Sequence, residues 1–315
     1  MNLPPVVPFE PVSTEQAPSG EEWIAQFKWD GVRVLTYYDG TDVRLFNRRL
    51  NERTLQYPEY QVVTDYCQAR NVILDGEIIA LENGKPSFHQ VMKRDGLRSG
   101  KSLAGSVQKV PVVYMLFDIL YCNDEWVIDK PLSERQALLE ELVIPDDRVQ
   151  IVQSFTQTEE LFGIAQAHGL EGVVYKDLGS TYALKGKDQR WRKHKNYQDV
   201  NAVIGGVTYN SGVVNAILLG LYNEEGRLVY IGHAGTGKLS RQDWIDLTAL
   251  TRPLIVPEKP FVNEPERSRE AAWLQPRLTV KIRFMEWTRY LTLRQPSIQA
   301  FLSVAPEECT FLREK

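Results

Sequence analysis

Residues 23–46 read WIAQFKWDGVRVLTYYDGTDVRLF. An apolar run from Trp23 to Phe27 stops at Lys28, and the charged corner Lys28-Trp29-Asp30-Gly31 follows. Beyond it VRVLTYY and VRLF alternate apolar with polar residues on either side of Asp39-Gly40, a pair that favours a tight hairpin turn. The stretch therefore predicts a strand, a corner that presents a lysine, and a hairpin. By itself the corner is also compatible with a charged surface turn.

Working outward, residues 4–18 are Pro-rich and read as an irregular arm laid on the body. NVILDGEIIAL (71–81) and VPVVYMLFDILY (110–121) read as further strands, the second buried on both faces. Ser133 with Gln136, and Thr156 with Glu159, have the spacing of capping boxes ahead of ALLEELV and ELFGIAQAHGL, with Gly169 as the stop of the second helix. GVVYK (172–176) reads as a short strand. From about residue 200 the pattern changes to β-runs: AVIGGVTY, VNAILLGLY and RLVYIGHAG, then a helix opening at Ser240, then LTVKIRFMEWT and YLTLRQ. Some five strands and one helix in this length suit a small Greek-key barrel of the oligonucleotide-binding (OB) type. The predicted domains are 1–199 and 200–315.

The 315 residues favour two domains, and the composition is that of an ordinary globular chain. No apolar run is long enough to cross a membrane, and the first residues lack a basic start and an apolar core, so a cytoplasmic, membrane-free protein is expected. Cys67, Cys122 and Cys309 are far apart and read as reduced thiols; the four histidines have no metal-ligand spacing. The net charge of −4 argues against indiscriminate coating of nucleic acid. Locally, Lys185, Lys187, Arg190, Arg192, Lys193 and Lys195 against Asp188 give +5 over 185–195. Lys93, Arg94, Arg98 and Lys101 against Asp95 give +3 over 93–101. Such surfaces fit a phosphate-rich ligand in one groove, or a solvated basic face.

Five constellations bear chemistry. In KWDGVR, Lys28 becomes a nucleophile when desolvation or nearby cations lower its pKa, and Gly31 lets backbone pass close to a nucleotide. In LDGEI (74–78), acids in a buried strand need a hydroxyl, cation or metal as partner. In YMLFD (114–118), an aromatic beside an acid reads as core or as a base-stacking platform. EGVVYK (171–176) places Glu171 at a strand start. In WRKHK (191–195), Lys193 and Lys195 point the same way from a strand and repel unless an anion lies between them, a triphosphate being the obvious one.

In order, KWDGVR, FNRRLNERT, LDGEI, YMLFDIL, EGVVYK and WRKHK resemble the motifs of the covalent nucleotidyltransferases: DNA ligases, RNA ligases and capping enzymes. GHAGTG (232–237) and RFMEWT (283–288) are similar to segments of bacterial ATP-dependent DNA ligases, especially the ligase modules of end-joining enzymes. The resemblance implies an α+β fold, with a nucleotidyltransferase (adenylation) domain of antiparallel sheets flanked by helices, then an OB-fold β-barrel. It implies Lys28 as the AMP-bearing nucleophile with Asp30 beside it, and Lys193 and Lys195 on the α-phosphate. Gln26, Arg33, Arg48, Glu77, Phe117 and Lys176 would bind the nucleotide or nick: Arg33 the ribose or the 3′ side, Arg48 a phosphate, Glu77 a ribose hydroxyl or metal-bound water, and Phe117 the adenine ring. Glu171, with Glu77, would hold Mg²⁺, for which Mn²⁺ could substitute. The implied ligands are ATP and nicked duplex DNA, and the implied state is a monomer. ATP is favoured over NAD because 27 residues precede Lys28, too few for a nicotinamide-side domain, and no cysteine zinc finger follows.

Three positions depart from the family pattern. Gln26 stands where many members carry Glu. Asn47-Arg48-Arg49-Leu50 keeps the arginine of an SRxG-type segment and loses its glycine. Leu302-Ser303-Val304-Ala305 stands where relatives carry an RxDK stretch that orients pyrophosphate, leaving Arg294 or the terminal Arg313-Glu314-Lys315 as substitutes. An RNA ligase, a GTP-using capping enzyme and a nick-binding module without catalysis are the competing readings.

Overall fold

The computed structural model describes residues 4–97, 100–235, 237–266 and 268–311, with side chains except at 100–104. The chain divides into two units, Met1–Asn196 and Tyr197–Lys315.

The first unit runs β1 (Val12–Ser13), β2 (Trp23–Phe27), β3 (Val32–Tyr38), β4 (Val43–Asn47), β5 (Val72–Glu82), β6 (Lys85–Pro86), α1 (Phe88–Asp95), α2 (Gly100–Lys109), β7 (Val112–Cys122), β8 (Glu125–Trp126), α3 (Leu132–Leu142), β9 (Val149–Ile151), α4 (Thr158–Ala167), β10 (Gly172–Asp177) and β11 (Trp191–Lys195). A larger sheet has the order β4-β3-β5-β7-β8, with β6 on β5 and β9 beside β7. A smaller sheet has the order β1-β11-β10-β2. Pairings are antiparallel apart from β1 with β11 and β7 with β9.

Strand alternation puts both faces of the larger sheet to use. Val34, Leu74, Ile78, Tyr114 and Leu116 join Tyr57, Tyr60 and Tyr66 in one core. Leu35, Tyr37, Ile73, Leu120 and Tyr121 pack in another with Phe9, Tyr182 and Trp191. The second core spans from β3, β5 and β7 to Trp191 of β11. The strands that carry the candidate site therefore have their backs filled with apolar side chains.

The second unit runs β12 (Gln198–Asn210), β13 (Val213–Tyr222), β14 (Leu228–Ala234), α5 (Arg241–Thr251), β15 (Ile255–Val256), β16 (Ala272–Phe284) and β17 (Ser297–Leu302). Its sheet has the order β14-β13-β12-β16-β15, with β17 on β16. Register shifts in β12 and β13 let the long strands bend around one core that includes Val203, Ile217, Ile231, Val280, Ile282 and Phe284. Ser240 caps α5 through a reciprocal box with Asp243.

Several sequence expectations need correction. Neither proposed capping box in the first unit forms: α3 starts behind Pro131 and α4 behind Gln157, with no side-chain cap at either. Pro131 takes the N-cap position at ψ 151°, and the Ser133 N–H is met by the Leu178 carbonyl at 3.0 Å. Gly169 does end α4, at φ +65°. YLTLRQ is not a strand, because Leu291 and Gln295 turn to positive φ and break the extended run. The partner of β16 is instead β17. The 93–101 stretch is not a uniform basic surface. Arg94 is fully buried on α1, ion-paired with Glu59 and donating to the carbonyls of Gln56 (2.8 Å) and Val110 (3.2 Å). Arg98 and Arg313–Lys315 lie outside the described residues, as does the side chain of Lys101.

Candidate active site

Lys28 follows β2 directly, and its backbone N–H donates to the Gly172 carbonyl at 2.9 Å. That bond ties the end of β2 to the start of β10, where Glu171 sits. Lys28 Nζ donates to Glu171 Oε2 at 2.6 Å. Lys195 Nζ, at the end of β11, is 3.2 Å from Glu171 Oε1. One carboxylate is thus gripped by two ammonium groups from two different strands.

Two glycines make this junction possible. A Cβ on Gly172, which has φ +139°, would lie 2.1 Å from the His194 carbonyl oxygen. A Cβ on Gly31 would lie 2.2 Å from the Ile78 carbonyl oxygen. The room left by Gly31 is taken by the neighbouring strand β5, a different reason from the close approach of a ligand read from the sequence.

Electrostatics reverse one expectation. Burial works against a charged Lys28, but Glu171, Glu77 and Asp30 outweigh it and hold its pKa above the usual lysine value. In this state Lys28 is an ammonium ion, not an activated amine. Glu77, on β5, is pushed up to about 8, first by burial and then by the Glu171 charge, with Lys28 and Arg33 opposing. Lys193 moves the other way: burial and then the charges of Lys195, Lys187 and Lys28 lower its pKa. Lys193 has no ion pair among the described residues, whereas Lys195 is matched by Glu171.

Arg33 is not a free cation. It grips the fully buried Asp75 with two bonds, Nε to Oδ1 at 2.9 Å and Nη2 to Oδ2 at 2.6 Å. It also donates to the Phe9 carbonyl (2.7 Å) and to Tyr182 Oη (3.1 Å). The partner that Asp75 requires inside its strand is therefore Arg33, with Tyr182 Oη donating as well at 2.7 Å. Phe117 lies edge-on to Trp191, with the Arg33 guanidinium 5.3 Å and Lys176 Nζ 4.4 Å from its ring centre. Lys176 is almost fully buried, 4.1 Å from the Trp191 ring centre. Burial, aided by Arg33 and Arg135 and opposed by Asp118 and Asp75, lowers its pKa to about 7.

Gln26 is buried on β2 and donates its amide to Ser154 Oγ (3.1 Å) and the Val152 carbonyl (3.4 Å). Arg48 is exposed and 3.3 Å from Glu10 of the N-terminal arm. Its loop keeps a left-handed turn without glycine: Leu50 has φ +60°, and Asn47 Oδ1 accepts from the backbone N–H groups of Arg49 and Asn51, both at 3.0 Å. In the second unit, Leu302–Ala305 line a groove of about 410 Å³ with Leu247, Leu250 and Phe301. Arg294 is 2.8 Å from Glu286, so it is already paired.

Sequence reading missed Tyr182 and the Asp118–Arg135 pair, and it quoted Trp191 in WRKHK without a role. Asp118 sits in an apolar strand, and that alone signals a buried cation somewhere in the chain. Nothing local identifies Arg135 as that cation.

A two-sheet α+β domain followed by an OB-fold barrel is the architecture of the ligase-type nucleotidyltransferases. The family model described as ATP dependent DNA ligase domain matches residues 8–195, and the ATP dependent DNA ligase C terminal region matches 210–302. The chain belongs to the ATP-dependent DNA ligase family. It is 30% identical over 295 residues to a DNA ligase of Thermococcus onnurineus, covering 88% of this chain and 52% of that one. It is 30% identical over 294 residues to the multifunctional non-homologous end joining DNA repair protein LigD of Mycobacterium tuberculosis, covering 88% of this chain and 35% of that one. The chain thus spans about half, or less, of the length of these curated relatives. A mycobacterial DNA ligase D complexed with ATP and MES superimposes with a TM-score of 0.53 at 28% identity, covering 97% of this chain and 98% of that one. Among the described residues, no helix is long and apolar enough to cross a membrane.

Proposed function

We propose that the chain seals 5′-phosphate/3′-hydroxyl nicks in duplex DNA with ATP, through AMP carried on Lys28. The observation that carries this reading is Lys28 held 2.6 Å from Glu171, with Lys195 on the other oxygen of the same carboxylate. A nucleophile and two charges suited to phosphate chemistry meet at one point.

In the first step the Lys28 ammonium gives up one proton to solvent, its amine attacks the α-phosphorus of ATP, and a second proton leaves to solvent as the P–N bond forms. A P–N bond forms, the P–O bond to pyrophosphate breaks, and AMP stays on the lysine. In the second step the nick's 5′-phosphate oxygen attacks the same phosphorus and frees Lys28. In the third the 3′-hydroxyl attacks the 5′-phosphate and AMP departs. Lys193 and Lys195 neutralise charge on the phosphates throughout. Gln26 has its amide N–H groups committed to Ser154 and Val152, which leaves its oxygen to accept from the adenine amino group. Phe117 with Lys176 forms a wall against the base, and Arg48 takes a DNA phosphate in exchange for Glu10.

Mg²⁺ would fit beside Glu171 and Glu77: two carboxylates share a desolvated corner, and Glu77 is driven up to about 8 by burial and then by the Glu171 charge. A bound cation would favour ionised Glu77 and draw charge from the phosphates. A metal held by Glu171 would weaken the contact that keeps Lys28 protonated.

The test is α-labelled ATP with Mg²⁺, beside labelled GTP and a Lys28→Ala variant, read as label retained on denatured protein. Label from ATP alone, absent in the variant, is the expected result. Absence of label from both nucleotides would overturn the reading and favour a nick-binding module, for which the uncharged Leu302–Ala305 segment is the one supporting observation.

A further inference from the structure

The arm ahead of β2 is fastened to the first unit by its backbone and one aromatic side chain. Phe9 is fully buried, edge-on to Trp191 and Tyr182, and its N–H donates to Tyr182 Oη at 3.1 Å. Backbone bonds flank it: Glu10 N–H to the Gly186 carbonyl (2.9 Å), Lys185 N–H to the Val7 carbonyl (2.9 Å) and Thr14 N–H to the Lys193 carbonyl (3.0 Å). β1 then runs parallel to β11, with Ser13 opposite Lys193. Holding the arm in place therefore does not require the Glu10 carboxylate.

That carboxylate stands among cations from three places in the chain. Arg48, in the turn after β4, is 3.3 Å from Oε1, and Lys187, in the loop before β11, is 4.0 Å from Oε2. The third is Lys193 on β11. Burial and then the charges of Lys195, Lys187 and Lys28 lower its pKa, with the Glu10 charge opposing them. The side chains of Arg48, Lys187 and Glu10 are 53%, 57% and 31% exposed, so the cluster is open to a ligand. Ion pairs this exposed contribute little to stability. One carboxylate among three cations also leaves positive charge over, which a dianion satisfies better than Glu10 does.

We infer that Glu10 is an internal stand-in for a phosphate: its carboxylate occupies the cluster of Arg48, Lys187 and Lys193 and gives it up when a terminal phosphate arrives. A terminal phosphate brings about two negative charges and three acceptor oxygens. Glu10 brings one charge and two oxygens, so the exchange favours the phosphate. Until then Glu10 keeps Arg48 and Lys187 converged and keeps other anions out. The arm itself stays, because its backbone bonds and Phe9 are untouched by the exchange. Two ligands of the proposed reaction have this chemistry: the 5′-phosphate of the nick and the β- and γ-phosphates of ATP. The inference rests on the nick-sealing reading for these ligands, but not on the lysine chemistry.

The test uses the full chain with Glu10→Gln, which keeps the size of the side chain and removes its charge. Binding of fluorescent nicked duplexes with a 5′-phosphate or a 5′-hydroxyl is followed across a range of salt. Labelling of the protein by ATP gives the half-saturating ATP concentration. With the competitor gone, the 5′-phosphate nick should bind about fivefold tighter and the 5′-hydroxyl nick should change much less. The salt slope for the 5′-phosphate nick should steepen by about one, because counterions then take the place of Glu10 and are released on binding. A fall of about fivefold in half-saturating ATP, with nick binding unchanged, would still support the stand-in and assign it to the nucleotide phosphates. On an Arg48→Gln background, Glu10→Gln should have little effect on either ligand. Equal tightening of both nicks, or the full gain without Arg48, would reduce Glu10 to bulk charge and overturn the inference. So would wild-type affinity, salt slope and ATP dependence in Glu10→Gln. Failure of the wild type to take label from ATP would sink the lysine chemistry and leave the two nick measurements readable.

Discussion

Lys28 Nζ donates to Glu171 Oε2 at 2.6 Å, and this contact holds the lysine as an ammonium ion above its ordinary pKa. A side chain poised for attack would be neutral. The geometry instead holds Lys28, the nucleophile of our proposal, in its protonated form beside a carboxylate that could also hold a metal.

The first prediction concerns the rate of lysine–AMP formation at saturating ATP. Only the free amine has a lone pair, and a raised pKa makes it scarce below that pKa. The initial rate of label uptake should therefore rise by about tenfold per pH unit between about pH 7 and about pH 9. A flat rate over that range would mean the proton is already gone before the slow step. Glu171→Gln should lower labelling by at least about a hundredfold at neutral pH, from loss of positioning and metal binding.

Lys176 gives a stability prediction of definite sign. Its folded pKa of about 7 lies below the ordinary lysine value of 10.5, so the fold favours the neutral amine. The resulting penalty is fully present below the folded pKa and disappears as pH rises to the unfolded value. Lys176→Met should raise stability by roughly 1–3 kcal/mol at neutral pH, because the charged form is desolvated and holds two ring faces and one long bond to the Phe117 carbonyl (3.4 Å). The gain should shrink towards about pH 10. Denaturant melts at three pH values check it; a gain that grows with pH would be the wrong sign.

Asp118 and Arg135 form a fully buried pair, Nε to Oδ1 at 2.8 Å and Nη2 to Oδ2 at 3.0 Å. Asp118→Ala or Arg135→Ala leaves one buried charge without its partner and should cost about 3–5 kcal/mol. Asp118→Leu with Arg135→Met should cost clearly less than either single change. Equal or additive losses in urea melts would show that the pair is not what those residues contribute.

Leu50 is 38% exposed and sits at φ +60°. Replacing it by glycine removes about 1–2 kcal/mol of backbone strain, against about 0.5–1 kcal/mol of chain entropy. Leu50→Gly should therefore stabilise by about 0.5–1 kcal/mol, and Leu50→Val should destabilise. A rise in Tm for the first and a fall for the second are the expected readings.

The sequence by itself determined the strands that carry the chemistry and the spacing of Lys28, Glu171, Lys193 and Lys195, because alternation and local turn residues act over a few positions. β2, β3 and β4 fall where the opening stretch places them. So do β12, β13 and β14, whereas β15 and β17 fall outside the runs read and YLTLRQ turns at positive-φ residues that no hydrophobic pattern reveals. Tertiary structure alone decided what the charged residues are for. Arg33 reads as a ligand contact, Arg94 as part of a basic surface and Arg135 as an ordinary helix arginine, yet each is bound inside the protein, to Asp75, Glu59 and Asp118. Their partners lie 42, 35 and 17 residues away. Those meetings depend on sheet register and on the packing of helices against strands. Only the folded chain brings enough carboxylate to Lys28 to outweigh its burial, and so decides whether that lysine is charged.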